Sequence, residues 1–271
     1  MVLRTAEDII CDREKGANQL AQDAVESVLH MPEDIDGYLE KLVKGRPTMA
    51  PLINLANHIY LSMEEGKDVI QEAEEFRKRL VHSRVEAAKN MYGIIKGKQV
   101  LTLSYSSTVK ASLERLSRVS ILESRPLMEG RKLASELRTS GVDVELWTDA
   151  AMKRALQEVD AVVVGADAFT TTHFVNKIGT APLALCSDEL GTPFFVVSDT
   201  TKLLPKGVSL THHEEHPASE VWKGADEGIS VRNPYFESVP LDNVLLVTER
   251  GTENVEPPEL AVELEGLLLK E

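Results

Sequence analysis

Two periodicities divide the chain. Up to Gly97 the apolar positions recur at helical spacing. The clearest stripe is Val69, Ala73, Phe76, Leu80, Ala87, Met91 and Ile94, whose steps of three, four and seven stay on one helix face. Gly97 stands where such a helix would stop. An earlier helix is expected over about Ala6–Leu29, with Ile9, Leu20 and Val28 among its apolar positions. Met31-Pro32 should end it, because a residue before proline avoids the helical region. Shorter helices are expected between Ile35 and Ser62, and no strand-like run appears before residue 98.

After Gly97 short β-rich runs alternate with helix signals. The runs are Gln99–Leu103, Arg118–Leu122, Val142–Trp147, Ala161–Val164, Phe194–Val197 and Val244–Val247. Ser106 and Ser107 can cap a helix through Val109, Leu113 and Leu116. Pro126 suits the first turn of another, which carries Leu133 and Leu137 and closes at Gly141. Strand–helix alternation at this spacing predicts a parallel sheet of six or seven strands covered on both faces. The expected fold class is therefore α/β: a helical N-terminal domain over 1–97, then a parallel-sheet domain over 98–271 with helices on both faces. The polar stretch Leu203–Asn233, with two prolines, reads as loop or partly helical insertion.

Composition narrows the function. The 271 residues carry 44 acidic against 30 basic side chains, a formal charge of −14. Such a surface repels nucleic-acid backbones and anionic lipids, so neither is an expected partner. Two cysteines, Cys11 and Cys186, exclude a disulfide framework and a four-cysteine zinc site, and fit a reducing cytoplasm. Both read as small apolar packing residues. No apolar run reaches the ~18 residues of a membrane span, and MVLRTAEDIICDRE turns charged too early for a secretory signal.

Ligands of open parallel sheets bind beyond the carboxyl ends of the strands. The residues to read are thus Ser104-Tyr105-Ser106, Glu123-Ser124-Arg125, Asp149, Gly165-Ala166-Asp167 and Ser198-Asp199. There is no GxGxxG after any strand, no GxxxxGK[ST] and no GxSxG. Asp167 follows the apolar run AVVV and two small residues, which lifts a carboxylate from a dry sheet into the crevice and leaves a ligand room to approach the backbone. Such a group suits general acid/base work. Asn176 and Lys177 open the next helix beside Gly179 and form a candidate anion seat. Arg125 ends a strand on the same edge. His212-His213-Glu214-Glu215-His216 has neither the order nor the spacing of HExxH and reads as a solvated loop.

In order along the chain come Lys15–Ala17, Arg46–Thr48, VLTLSYSSTV from Val100, ESRPLMEGRKLA from Glu123 and VDAVVVGADAF from Val159. VNKIGT from Val175, NPYFESVP from Asn233 and VTERG from Val247 follow. Together these segments resemble the superfamily that unites the alpha, beta and delta subunits of eukaryotic translation initiation factor 2B with two isomerases. Those enzymes act on methylthioribose 1-phosphate and ribose 1,5-bisphosphate. The resemblance implies a helical domain followed by a Rossmann-like domain, no cofactor, and an anionic small ligand, a sugar phosphate or nucleotide. It implies a pocket of Lys15, Arg46, Ser104, Arg125, Asp167, Asn176 and Lys177, and a homodimer through the C-terminal domain or assembly with related subunits.

Three positions depart from the isomerase pattern. Ser104 stands where the isomerases have cysteine, and a serine hydroxyl is far less acidic than a thiol. Glu129 replaces a glutamine near the substrate phosphate, and Lys15 replaces an arginine, keeping charge without the bidentate fork. These departures favour a non-catalytic, initiation-factor-like regulatory protein. The alternative is an aldose–ketose isomerase of a phosphorylated ribose, with Asp167 as the catalytic group beside Ser104, Tyr105 or water.

Overall fold

A computed structural model describes residues 4–12, 15–30, 34–209 and 215–269. The chain begins with helices α1 (Ala6–Cys11), α2 (Ala17–His30), α3 (Ile35–Gly45), α4 (Ala50–Glu64) and α5 (Val69–Ile95). The single helix expected over Ala6–Leu29 is two helices. Thr5 and Asp8 cap α1 reciprocally, and α2 restarts on the Gly16 carbonyl. Ile9, Leu20 and Val28 are all buried. The expected stop at Met31-Pro32 falls outside the described residues. Asp68 caps α5 by accepting from the Gln71 N–H. The upper part of α5, Ala73, Phe76 and Leu80, joins the core of the helical layer. Its lower part, Ala87, Met91 and Ile95, is buried in the core beneath the sheet, and Ile94 packs half-buried against it.

Strands then alternate with helices. They are β1 (Val100–Leu103), α6 (Ser107–Leu113), β2 (Arg118–Leu122), α7 (Glu129–Thr139), β3 (Asp143–Trp147), α8 (Met152–Leu156) and β4 (Ala161–Gly165). A hairpin of β5 (Ala168–Phe169) and β6 (His173–Lys177) follows, then α9 (Thr180–Leu190), β7 (Phe194–Val197), β8 (Phe236–Pro240), β9 (Leu245–Val247) and α10 (Val262–Leu268). Six strands form one sheet in the order β3-β2-β1-β4-β7-β9, and every pairing in it is parallel. Its central strands are apolar on both faces, as helices on both sides require: Val100–Leu103 and Ala161–Gly165 are buried throughout. The helical layer closes with Ala261 and Leu264 of the chain's last segment packed among the first helices.

A second sheet was not foreseen. Strands β5, β6 and β8 form an antiparallel sheet in the order β5-β6-β8. Val175 and Ala168 from it pack with Ala50 and Ile53 of α4, which joins the two layers. Pro126 also departs from expectation. It lies, after a cis peptide bond, in the turn ahead of α7, and that helix starts at Glu129. Ser106 does cap α6, accepting from the Val109 N–H. Cys11 is exposed, contrary to its reading as a packing residue, whereas Cys186 lies half-buried against the sheet core.

Gly130 supplies a stability test. It is buried in the first turn of α7, its N–H meets the Glu123 carbonyl at 3.2 Å, and a Cβ there would run into the Leu122 carbonyl oxygen. In an exposed helix glycine to alanine is stabilising. Here Gly130→Ala should instead cost about 2 kcal/mol through overpacking. A urea midpoint equal to or above that of the parent would refute the steric reading.

Candidate functional site

The strand order locates the crevice. From β1 the chain steps outward to β2 and β3 on one side, then crosses to β4, β7 and β9 on the other. The reversal lies between β1 and β4, the switch point where ligands enter open α/β sheets. These strands pair only at Val100–Ala161 and Leu101–Val162, whereas β1 follows β2 for four residues. Ser104 follows β1, and Ala166-Asp167 follow β4. The expected room over the small residues is already used. A Cβ on Gly165 would lie 2.9 Å from Ser106 Oγ, so the glycine admits the α6 cap.

The β1 and β2 ends are locked together. Ser104 and Ser124 both take positive φ, at 68° and 65°. The Ser104 N–H donates to Ser124 Oγ at 2.6 Å. Asp149, just past β3, accepts from the Ser124 N–H at 2.8 Å and the Arg125 N–H at 2.7 Å. A carboxylate bonded to two successive amides fixes this turn and keeps Ser104 at the mouth. Arg125 is exposed, and its guanidinium donates to the Val221 carbonyl at 3.0 Å. Tyr105 leaves the site. Its hydroxyl donates to Glu136 of α7 at 3.0 Å, and Lys132 sits 4.6 Å from its ring centre.

Asp167 is half-buried at the start of the β5–β6 hairpin, where its N–H donates to the Val175 carbonyl at 2.8 Å. Asn176 and Lys177 are the next two residues and end β6. The expectation that they open a helix is therefore corrected: α9 begins at Thr180, after Gly179 in the left-handed region. Its free N–H groups are also taken. Glu237 Oε1 of β8 accepts from Gly179 at 2.7 Å and Ala181 at 2.9 Å, so a carboxylate of the chain fills the anion position at this helix start. Asn176 spends its side-chain N–H on Thr180 Oγ1 at 3.0 Å.

Lys177 is the buried cation of the crevice. Its side chain is 4% exposed, and Nζ lies 2.7 Å from Glu129 Oε1. The Tyr235 ring centre lies 4.4 Å from the same ammonium. Burial and a hydrogen bond to Glu220 push the Tyr235 phenol above its ordinary range. His216 stacks on Tyr235 with ring centres 3.5 Å apart. Glu215 holds Arg232 and accepts from the Asn233 N–H. His212, His213 and Glu214 lie outside the described residues.

The helical layer brings its cations with partners attached. Lys15 Nζ is 2.6 Å from Asp23 and stays exposed, while Arg46 donates to the Asp12 carbonyl. Ala50, just beyond the Arg46 turn, packs on Ala168 and Val175, which brings that turn to the hairpin carrying Asp167 and Lys177. All four expected cations thus meet an acceptor of this chain. One further cation escaped the sequence reading. Lys202, buried in the turn after β7, donates from Nζ to the Ala166 carbonyl at 2.6 Å and braces the backbone that bears Asp167. Asp149, Tyr235 and Glu237 also escaped it as site residues. Only the strand-end position of Asp149 was visible beforehand. Among the described residues no group of three or more His, Cys, Asp or Glu could hold a metal, and no helix is long and apolar enough to cross a membrane.

Comparison with known proteins bears on this crevice. The chain is 34% identical to a ribose 1,5-bisphosphate isomerase of Archaeoglobus fulgidus, over 96% of this chain and 91% of that one. It superposes on the crystal structure of translation initiation factor eIF-2B of Pyrococcus horikoshii with a TM-score of 0.75 and 31% identity, covering 91% of this chain and 94% of that one. On 5-methylthioribose 1-phosphate isomerase of the same organism the TM-score is 0.72 at 25% identity, covering 97% and 86%. The expectation of a non-catalytic regulator is thereby corrected: an isomerase relative aligns with nearly the whole chain, and the isomerase alternative is the better supported of the two. Residues 3–254 match the Initiation factor 2 subunit family, and with these likenesses the chain belongs to that family.

Proposed function

We propose that the protein is an aldose–ketose isomerase of a phosphorylated ribose, with ribose 1,5-bisphosphate as the first substrate to test. The observation that carries this reading is the position of Asp167 at the switch point. It follows β4 as Ser104 follows β1, the two strands that flank the reversal, and it shares a hairpin with Lys177. The isomerase relative supports the substrate class.

The chemistry fits one carboxyl group. Converting a furanose 1-phosphate to the open 2-ketose breaks the bond between C1 and the ring oxygen. The hydrogen on C2 passes to C1. One proton is delivered to the ring oxygen and one leaves the C2 hydroxyl, so protons balance. Asp167 can give the first as a carboxylic acid and take the second as a carboxylate. Ser104 contributes a hydrogen-bonding hydroxyl and no acid/base work, because its proton is too tightly held. Lys177 supplies charge for a phosphate oxygen. The Ser104–Ser124–Asp149 chain and Lys202 hold the two strand ends at fixed separation, as near-attack geometry demands.

The test is direct. Purified protein incubated with ribose 1,5-bisphosphate should yield ribulose 1,5-bisphosphate, followed by 31P and 13C NMR. Methylthioribose 1-phosphate in a parallel tube distinguishes the two isomerase substrates. Absence of conversion of both sugars by protein with a cooperative thermal melt would overturn the proposal.

A further inference from the structure

We propose that Glu129 sets the anion specificity of the crevice: its carboxylate is an internal counter-anion that a ligand phosphate must displace from Lys177. The inference rests on the isomerase reading only for the identity of the natural ligand. The geometry concerns any phosphate.

Lys177 is enclosed, with Glu129 at 2.7 Å on one side and the Tyr235 ring at 4.4 Å on another. A phosphate oxygen that reaches this ammonium must take the place of Glu129 Oε1. If both anions stayed, they would repel one another across a short distance in a poorly solvated cleft. The carboxylate is also held incompletely, because Glu129 Oε2 is buried and has no hydrogen-bond partner. Half of the group is thus badly placed in the paired state.

The carboxylate has another place to go. Glu129 is the first residue of α7, and the residue before it, Met128, gives that helix no side-chain cap. The Gly130 and Arg131 N–H groups already meet the Glu123 and Met128 carbonyls, so what favours a carboxylate turned towards this helix start is the dipole there. Glu237 provides the contrast. Its Oε1 is bonded to two backbone amides at the start of α9, a contact with nothing left over to gain by moving. Of the two carboxylates that fill anion positions in this crevice, Glu129 is the one built to yield.

Isothermal titration with inorganic phosphate, then with ribose 5-phosphate, tests the competition at constant pH and ionic strength. Glu129→Gln should lower the phosphate Kd about tenfold, equivalent to about 1.4 kcal/mol. Glu129→Ser should shift it in the same direction, which separates loss of charge from any new contact by the amide. Lys177→Ala in the Glu129→Gln background should remove the gain. Unchanged or weaker binding in both Glu129 variants, or no measurable binding to Glu129→Gln, would overturn the inference. The assay is separable from turnover. Tighter phosphate binding without conversion of ribose 1,5-bisphosphate upholds Glu129 and sinks the isomerase. Conversion with unchanged phosphate affinity does the reverse.

Discussion

Asp167→Asn should lower turnover of ribose 1,5-bisphosphate by roughly a thousandfold, within the span known for general acid/base groups. The substitution keeps the size of the side chain and leaves the Asp167 N–H on the Val175 carbonyl. It removes the one property the reaction uses, a proton that can be given and taken back. The loss should therefore fall on kcat, with KM little changed, because the proposed phosphate contact is made by Lys177 and not by Asp167. Inorganic phosphate should still bind the variant. A variant that keeps more than about a tenth of parental turnover would show that the proton passes through another group.

Lys177→Met should have the largest effect on both stability and ligand binding. The ammonium is buried against Glu129, whose side chain is 26% exposed. Removing one member of a buried pair strands the other charge, at a cost of about 3 kcal/mol; partial exposure of Glu129 keeps it at the low end of the usual range. Urea denaturation should show this as a lower midpoint at unchanged slope. The double variant Lys177→Met with Glu129→Gln should recover most of that stability, since no charge is left stranded, and yet bind no phosphate. A double variant whose loss equals the sum of the two single losses, a coupling near zero in the cycle, would mean that Lys177 acts through packing.

The sheet was legible because its strands announce themselves. Arg118–Leu122 and Phe194–Val197 have the boundaries read from their apolar runs, and the other four differ by a residue at an end. Strands buried on both faces read as near-continuous apolar runs, which sets Ala161–Gly165 and Phe194–Val197 apart from their surroundings. Strands β5 and β8 lack that signature. Phe169 is one of two residues in its strand, and β8 reads Phe-Glu-Ser-Val-Pro with only Val239 buried. The pairing of β8 with β6 joins segments far apart in the chain, which local periodicity does not report.

The crevice divides the same way. Ser104, Arg125 and Asp167 could be placed at strand ends because a parallel sheet puts every strand's carboxyl end on one edge. Tyr105 could not be excluded until α7 brought Glu136 to its hydroxyl. Lys202 could not be included until the turn after β7 set its ammonium on the Ala166 carbonyl.

The sequence alone determined the helical start of the chain, the parallel sheet and the edge that gathers its strand ends, because periodicity and strand ends are local properties of the chain. Tertiary structure decided which charges are available. Lys177 reads as a bare cation until packing brings Glu129 to it, and the start of α9 reads as an anion seat until Glu237 arrives from β8. Coulomb interactions depend on distance in space, and a low-dielectric crevice magnifies each of them. The partners that set its electrostatics are therefore fixed only when the chain has folded.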